Sequence, residues 1–336
     1  MSLYLGVDAG STKTRTAVCD ARGVVLASVS GGFGSVEGPD GIEGGVAEIG
    51  RTVATALAEA GARADQIVAA CYATAGNDGP ADDADIRAGL AAAGLPPLAG
   101  GERLVTVNDG YAALRGGLRR DWGVVSAAGT GTVVVGRGPD GRVVQVGGIG
   151  PLSGDAGGGA YLGLLAAQAV MMAEQGALAP TRLRAALVEI VGTEDLLGLL
   201  WRQEAGGGMG RALGARLSKL APAVHRAAAD GDDAAQEILI RTGGHLGRMA
   251  VGAIAQLGLI DTDVEVALAG GTYRGTSPLM ADAAALEIHR RAPRADVHRA
   301  LREPVAGALI VAREADAGPS DEAFLAALAD GLPETD

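Results

Sequence analysis

The chain repeats one short pattern, and that repetition restricts its fold more than any single motif does. Leu3 to Val7 is an apolar run that ends at Asp8, turns through Ala9-Gly10-Ser11-Thr12-Lys13, and resumes at Thr14 to Val18. Gly123 to Ala128 is again apolar, turns through Gly129-Thr130-Gly131, and resumes at Thr132 to Val135. Each unit reads as strand, tight turn, strand. Each is trailed by a second turn, Asp20-Ala21-Arg22-Gly23 in one and Pro139-Asp140-Gly141-Arg142 in the other. Gly10 aligns with Gly129 and Val24 with Val143 at the same offset of 119 residues, as expected of a duplicated domain.

A chain of 336 residues has room for two domains, each with its own core. No apolar run reaches the length of a membrane span, and the first strand begins too early to leave room for a signal peptide. Cys19 and Cys71 are the only cysteines, too few for a disulfide framework or a cysteine-based metal site, so the expected compartment is the reducing cytoplasm. The formal charge of −12 argues against a nucleic-acid partner, and no membrane partner is expected.

After the first hairpin, Gly23 to Val29 alternates as a third strand, and Ser30 to Gly45 reads as a long acidic loop with Phe33, Ser35, Glu37 and Asp40. Helical spacing covers Val46 to Ala60 and Ala84 to Ala93, with strands expected at Ile67 to Thr74 and Leu104 to Val107. Beyond the second hairpin, helices are expected at 161–175, 183–191, 195–203, 213–229 and 234–256, interrupted by Gly206-Gly207-Gly208. Val264 to Ala269 is a strand running into Gly270-Gly271-Thr272 ahead of a helix over 278–292. A last long helix is expected at 305–315, and the acidic tail from Asp321 reads as a minor surface helix.

Several of these residues suit phosphate chemistry. Gly10 has no side chain to block a phosphate from backbone amides, and Asp8 could hold a hydrated Mg²⁺, which takes few carboxylates. The loop is not a Walker A motif, and a hairpin with a polar tip explains it equally well. Asp109 stands in Asn108-Asp109-Gly110 at a strand end, where it is either a turn residue or a carboxylate able to accept a proton. Asp78 follows another strand end and is balanced between facing a cleft and being an ordinary loop residue. His225, His245, His289 and His298 show no ligand spacing and are expected to be solvated or capping residues.

Asp8-Ala9-Gly10-Ser11-Thr12, Ala128-Gly129-Thr130-Gly131 and the strand into Gly270-Gly271 resemble, in this order, the actin-like ATPase and sugar kinase superfamily. Gly147-Gly148-Ile149-Gly150-Pro151-Leu152-Ser153-Gly154-Asp155-Ala156-Gly157 resembles the N-acetylglucosamine kinase family, also described as BadF/BadG/BcrA/BcrD ATPases. The resemblance covers nearly the whole chain and implies an α/β fold of two duplicated ribonuclease H-like (actin-like ATPase) domains around a nucleotide and sugar cleft. The first domain would span 1–117, with the helix at about 305–336 packing back on it, and the larger second domain, with helical insertions, 118–304. It implies an ATP-dependent kinase acting on the 6-hydroxyl of N-acetylglucosamine or a related amino sugar or hexose, with ATP and Mg²⁺ and a homodimeric state. An ATPase activator or an ATP-gated sugar-sensing protein on the same fold is the alternative.

Carried over by resemblance, Asp109 is the general base and also touches the sugar, and Asp8 sits near Mg²⁺ through water. Gly10, Ser11, Thr12 and Lys13 form one phosphate loop, Gly129, Thr130 and Gly131 the second, and Gly270, Gly271 and Thr272 line the adenosine site. Ser35, Gly148, Ile149, Gly150 and Asp155 fall at sugar-binding positions. Three positions in and beside this set depart from the family pattern: Ile149 stands where a tryptophan is usual, Ala156 where a glutamate is, and Ser35 is the nearest counterpart of an asparagine. These changes leave phosphoryl transfer intact and bear on the 2-acetamido contact.

Overall fold

The computed structural model describes residues 2–38, 40–97, 103–198 and 216–332. Gly206-Gly207-Gly208 and most of the helix expected at 195–203 lie outside these residues, as does the start of the one expected at 213–229. Two compact units emerge, one formed by Met1–Val125, Val135–Arg142 and His298–Asp336, the other by Ser126–Val134 and Val143–Val297.

The first unit is built on β1 (Leu3–Ala9), β2 (Thr14–Asp20), β3 (Val25–Gly31), β4 (Ile67–Thr74) and β5 (Leu104–Val107), in the order β3-β2-β1-β4-β5. β1 pairs antiparallel with β2 and parallel with β4, and β4 pairs parallel with β5. Helices cover both faces, which is why β1 reads as a continuous apolar run rather than an alternating one. On one face, Leu3, Leu5 and Val7 pack with Val46, Ile49 and Val53 of α1 (Gly41–Glu59) and Ile86 and Leu90 of α2 (Pro80–Ala92). On the other, Tyr4, Cys19 and Cys71 pack under Val305 to Ala312 of α9 (Pro304–Ala317). Burying each large aliphatic side chain here contributes about 1.5–3 kcal/mol.

Two glycines set the spacing on that second face. A Cβ at Gly6 would stand 2.8 Å from Leu309 N, so α9 can lie directly on β1 only because position 6 has no side chain. Gly307 plays the same part where α9 crosses α3 (Asp109–Gly117): its Cβ would stand 2.6 Å from Gly116 N and would also strike Ala112 O.

Helix starts differ from the sequence reading. α1 begins at Gly41 rather than Val46, because Gly41, Gly44 and Gly45 fill its first turn and hide the helical pattern. α2 begins at Pro80, whose missing N–H costs nothing in a first helical turn. The tail is not a minor surface element either. Asp321 caps α10 (Glu322–Gly331) by accepting from Phe324 N at 2.8 Å, and Phe324 and Leu328, one turn apart, enter the first core. Tyr4 meets the Phe324 ring edge-on at 6.3 Å between centroids.

The second sheet has the order β10-β9-β6-β7-β8, made of β6 (Gly123–Ala128), β7 (Thr132–Arg137), β8 (Val143–Gly147), β9 (Glu265–Ala269) and β10 (Asp296–Arg299). Read from β8, this is the order of the first sheet strand for strand, so the duplication seen at an offset of 119 residues extends to the topology. The second unit adds α4 (Gly159–Glu174), α5 (Leu183–Val191), α6 (Ala221–Ala229), α7 (Asp233–Gln256) and α8 (Leu279–Arg291). α8 crosses closely over Gly243 and Gly247 of α7; a Cβ at Gly247 would stand 2.6 Å from Ala284 O. Two five-stranded sheets with covering helices match the duplicated α/β architecture that the sequence leads one to expect.

Candidate active site

In the first unit, acidic side chains gather beyond the strand ends. Asp8 shares its face of β1 with Gly6 and Tyr4 and lies opposite Arg15 of β2 in the register. Asp109 is the first residue of α3, and Asn108 caps that helix by accepting from Gly110 N at 2.8 Å. The same Asn108 donates to Asp78 Oδ1 at 2.8 Å, tying the loop after β4 to the start of α3.

Both carboxyls sit deep among protein atoms, although solvent still reaches each residue. Burial, then repulsion from Asp109, raises Asp8 from 3.8 to about 7; Glu303 adds to the rise, while Lys13 and Arg15 oppose it. Burial raises Asp109 from 3.8 to about 6, the Gly110 N–H opposes the rise, and the charges of Asp78 and Glu37 add to it. Two carboxyls whose charges are costly so close together form a place where a cation would relieve strain and where one can hold a proton near neutral pH.

Sequence reasoning left Asp78 undecided and gave no role to Glu37, Arg15 or Glu303. Arg15 and Glu303 form an ion pair at 3.3 Å with side chains 16% and 5% exposed, next to Asp8. Nothing local in the sequence marks this pair, because its members come from β2 and the residue before α9. Ser35 is buried: its hydroxyl donates to Ala75 O at 3.0 Å and accepts from Glu37 N at 3.2 Å. Its donor is therefore used, and it could meet a sugar hydroxyl only as an acceptor, through its remaining lone pair. Ser11, Thr12 and Lys13 are exposed at the β1–β2 turn, where Gly10 N donates to Lys13 O at 3.1 Å.

In the second unit, Gly129, Thr130 and Gly131 form an exposed turn closed by Gly129 N donating to Gly131 O at 3.0 Å. α4 starts beside it, with Gly159 N donating to Gly129 O at 2.8 Å. A Cβ at Gly158 would meet the turn's backbone, so the helix N-terminus reaches the turn only with glycine there. β9 runs directly into Gly270, whose φ of +97 few other residues adopt and whose Cβ would strike Ala128. Thr272 locks the same loop, its hydroxyl donating to Ala128 O at 2.6 Å.

The Gly147–Gly157 loop is held from inside by Asp155. Its carboxylate accepts from Gly148 N at 2.8 Å, Gly150 N at 2.6 Å and the Ser153 hydroxyl at 2.8 Å. A carboxylate has about four acceptor positions, so Asp155 retains about one for a sugar hydroxyl. Ile149 and Leu152 project from the loop, 69% and 105% exposed.

The residues fit a nucleotide and a hydrated cation. A Cβ at Gly129, Gly131 or Gly271 would meet nothing within 4 Å, so the space beside each backbone is open to a close-approaching group. The Thr132 hydroxyl, buried next to the phosphate-type turn, has no hydrogen-bond partner among the described residues. Among those residues no three or more His, Cys, Asp or Glu side chains form a metal cluster. His245 bonds Gly154 O at 2.6 Å and His289 bonds Ala295 O at 3.1 Å. His225, expected to be solvated or capping, is instead 3% exposed within α6.

Known proteins resemble the chain over nearly its whole length. It is 24% identical over 321 residues to an N-acetylmuramic acid/N-acetylglucosamine kinase of Clostridium acetobutylicum, covering 93% of this chain and 99% of that one. It is 25% identical over 322 residues to an N-acetyl-D-glucosamine kinase of Dictyostelium discoideum, covering 92% and 97%. Among solved structures, a protein of Chromobacterium violaceum assigned as an N-acetylglucosamine kinase superposes with a TM-score of 0.68 at 26% identity, covering 93% of this chain and 99% of that one. A profile of the BadF/BadG/BcrA/BcrD ATPase family matches residues 5–312, and the chain belongs to that family.

Proposed function

We propose that this protein is an ATP-dependent sugar kinase that phosphorylates the 6-hydroxyl of N-acetylglucosamine or a related amino sugar or hexose, with Asp109 as general base. The observation that carries the reading is the Asp109 carboxyl at the N-terminus of α3, buried beside other acids and raised to about 6. A base of that strength is ionised at neutral pH and still accepts a proton as an alcohol becomes a phosphate ester. The names of the relatives from Clostridium and Dictyostelium supply the sugar class.

Phosphoryl transfer asks the protein mainly for positioning and charge compensation. Gly10, Ser11, Thr12 and Lys13, together with Gly129, Thr130 and Gly131, would cradle phosphates with backbone amides and hydroxyls. Gly270, Gly271 and Thr272 would receive the adenosine. Asp8 would hold Mg²⁺ through water, and the ion, when bound, neutralises charge on the phosphoryl group being transferred. Asp109 would orient the sugar hydroxyl and take its proton. Gly148, Ile149, Gly150 and Asp155 would form one sugar loop, and Ser35 would shape the other. A homodimer in the cytoplasm completes the proposal; among the described residues no helix is long and apolar enough to cross a membrane.

The test is ADP release measured with a panel of glucose, glucosamine, N-acetylglucosamine, N-acetylmannosamine and N-acetylmuramic acid. Release should rise at least tenfold with one of them, phosphorus NMR should place the product phosphate on the 6-oxygen, and Asp109→Ala should lose at least a hundredfold in kcat while still binding ATP. Turnover that survives Asp109→Ala removes Asp109 as the base. If no sugar stimulates release above the background ATPase rate, the kinase reading fails.

A further inference from the structure

α6 places a histidine against the loop that leaves β9. His225 is buried along with most of its helix, and its ring lies directly against Gly275. The contact is so close that a Cβ at Gly275 would run into the imidazole. The backbone of Ser277 and of Thr272 also reaches the ring, and both act to favour its charged form. A backbone group that favours an imidazolium must be a carbonyl oxygen, since an N–H would oppose the charge. Gly275, Thr272 and Ser277 all belong to the segment following Gly270 and Gly271, so one ring touches this loop at three points.

The ring does not complete its bonds there. Neither Nδ1 nor Nε2 has a hydrogen-bond partner of good geometry among the described residues. Burial outweighs the carbonyls and holds the ring below its ordinary pKa, so it is neutral, with one N–H and one lone pair. A buried imidazole with an unmade hydrogen bond costs free energy, about that of a desolvated polar group. A carbonyl of this segment brought into line with the N–H would complete one of the ring's two bonds.

We infer that His225 is the positioning residue of the nucleotide loop: its imidazole N–H completes a hydrogen bond to the Thr272–Ser277 backbone when adenosine fills the Gly270–Gly271 end of β9, and so stabilises the loaded loop. This rests on the reading of Gly270, Gly271 and Thr272 as the adenosine site. His225 is placed to act through the loop, with no contact to the reacting groups of its own.

The experiment compares His225→Ala, His225→Asn and His225→Gln in the full chain, with KM for ATP, KM for the sugar that stimulates turnover, kcat, and ADP affinity by calorimetry. His225→Ala should raise KM for ATP and weaken ADP binding about tenfold, the effect of one hydrogen bond, with sugar KM and kcat within about twofold. One of the two amide variants, which keep an N–H donor near Nδ1 or Nε2, should return ATP KM to within about threefold of the starting value. In the unsubstituted protein, ADP should shift the imidazole signals of His225 in a heteronuclear NMR spectrum. The inference is overturned if ATP and sugar constants move together, if neither moves, or if ADP leaves the His225 signals unchanged. Should His225→Ala fail to fold, the amide variants and the NMR shift decide the matter.

Gly271→Val separates this inference from the reading beneath it. A Cβ at Gly271 meets open space, so the variant should fold, and its side chain should block the adenosine. Loss of ADP binding in Gly271→Val with normal His225 variants would remove the role of His225 alone. Unchanged ADP binding in Gly271→Val would remove the nucleotide loop, and the inference with it.

Discussion

Asp8 should cost the folded protein stability, and the size of the cost follows from its surroundings. Its carboxyl is raised from 3.8 to about 7, first by burial and then by the charge of Asp109. The folded state therefore binds its proton more tightly than the unfolded chain does, and stability falls as pH rises between about 4 and 7. Below about pH 4 both states are protonated and the penalty is absent; above about pH 7 it is complete. At 1.36 kcal/mol for each pH unit the full rise is worth about 4 kcal/mol. Solvent still reaches Asp8, which screens its charge, so we expect about half of that, about 2 kcal/mol. Asp8→Asn keeps the shape and removes the charge. At pH 8 without divalent ions it should unfold about 5 °C higher than the unsubstituted protein, and the gap should shrink to about 1–2 °C at pH 5. Added Mg²⁺ should narrow the gap at pH 8, because only the carboxylate form binds the ion. Thermal unfolding by circular dichroism at pH 5, 6, 7 and 8 measures all of this. A variant less stable at pH 8, or a gap that does not grow with pH, refutes the reasoning.

Three further outcomes follow from the geometry. The proposed base Asp109 must be a carboxylate to act and is raised to about 6, so kcat/KM for the sugar should fall about tenfold per pH unit below that value; a profile flat to pH 4.5 would exclude it as the base. Gly307→Ala drives a methyl group into the backbone of α3, with Gly116 N only 2.6 Å from the new Cβ, and chemical denaturation should show a loss of about 3 kcal/mol. Asp155→Ala releases Gly148 N, Gly150 N and the Ser153 hydroxyl together, so KM for the sugar should rise at least tenfold while ATP KM stays within about twofold; equal changes in both would show that the loop serves the fold rather than the sugar.

Much of the fold could be read from repetition. The matching hairpins at 3–18 and 123–135 predict two related sheets, and the strand orders agree one for one. What escaped the sequence has local causes. α1 hides its first turn in three glycines, and β10 is four half-exposed residues with no alternation to betray them. Phe324 and Leu328 look unremarkable in an acidic tail, yet their spacing puts both on one face of α10, against Tyr4 and α9. His225 escaped for a different reason: its helix is mostly alanine, so nothing in the pattern shows which side is covered.

The acidic cluster of the candidate site could be read where a strand end carries it and not where only tertiary packing does. β1, β4 and β5 run parallel, so their carboxyl ends lie along one edge of the sheet. Asp8 stands at the end of β1, Asp78 four residues beyond β4, and Asp109 two residues beyond β5. Acids at three successive parallel strand ends are therefore neighbours by topology alone, and that signal could have settled Asp78. Arg15 and Glu303 had no such marker, because their pairing depends on α9 lying over Gly6. The copied sheet follows the same topology with opposite chemistry. β6 and β9 end in Gly129-Thr130-Gly131 and Gly270-Gly271-Thr272, turns of small residues without a carboxylate. Bare amides and hydroxyls occur in both halves, at Gly10-Ser11-Thr12 as at the two later turns, whereas the carboxylates that on the proposed reading serve a cation and an alcohol stand at the strand ends of the first. The two halves of the duplication therefore differ in charge at corresponding strand ends.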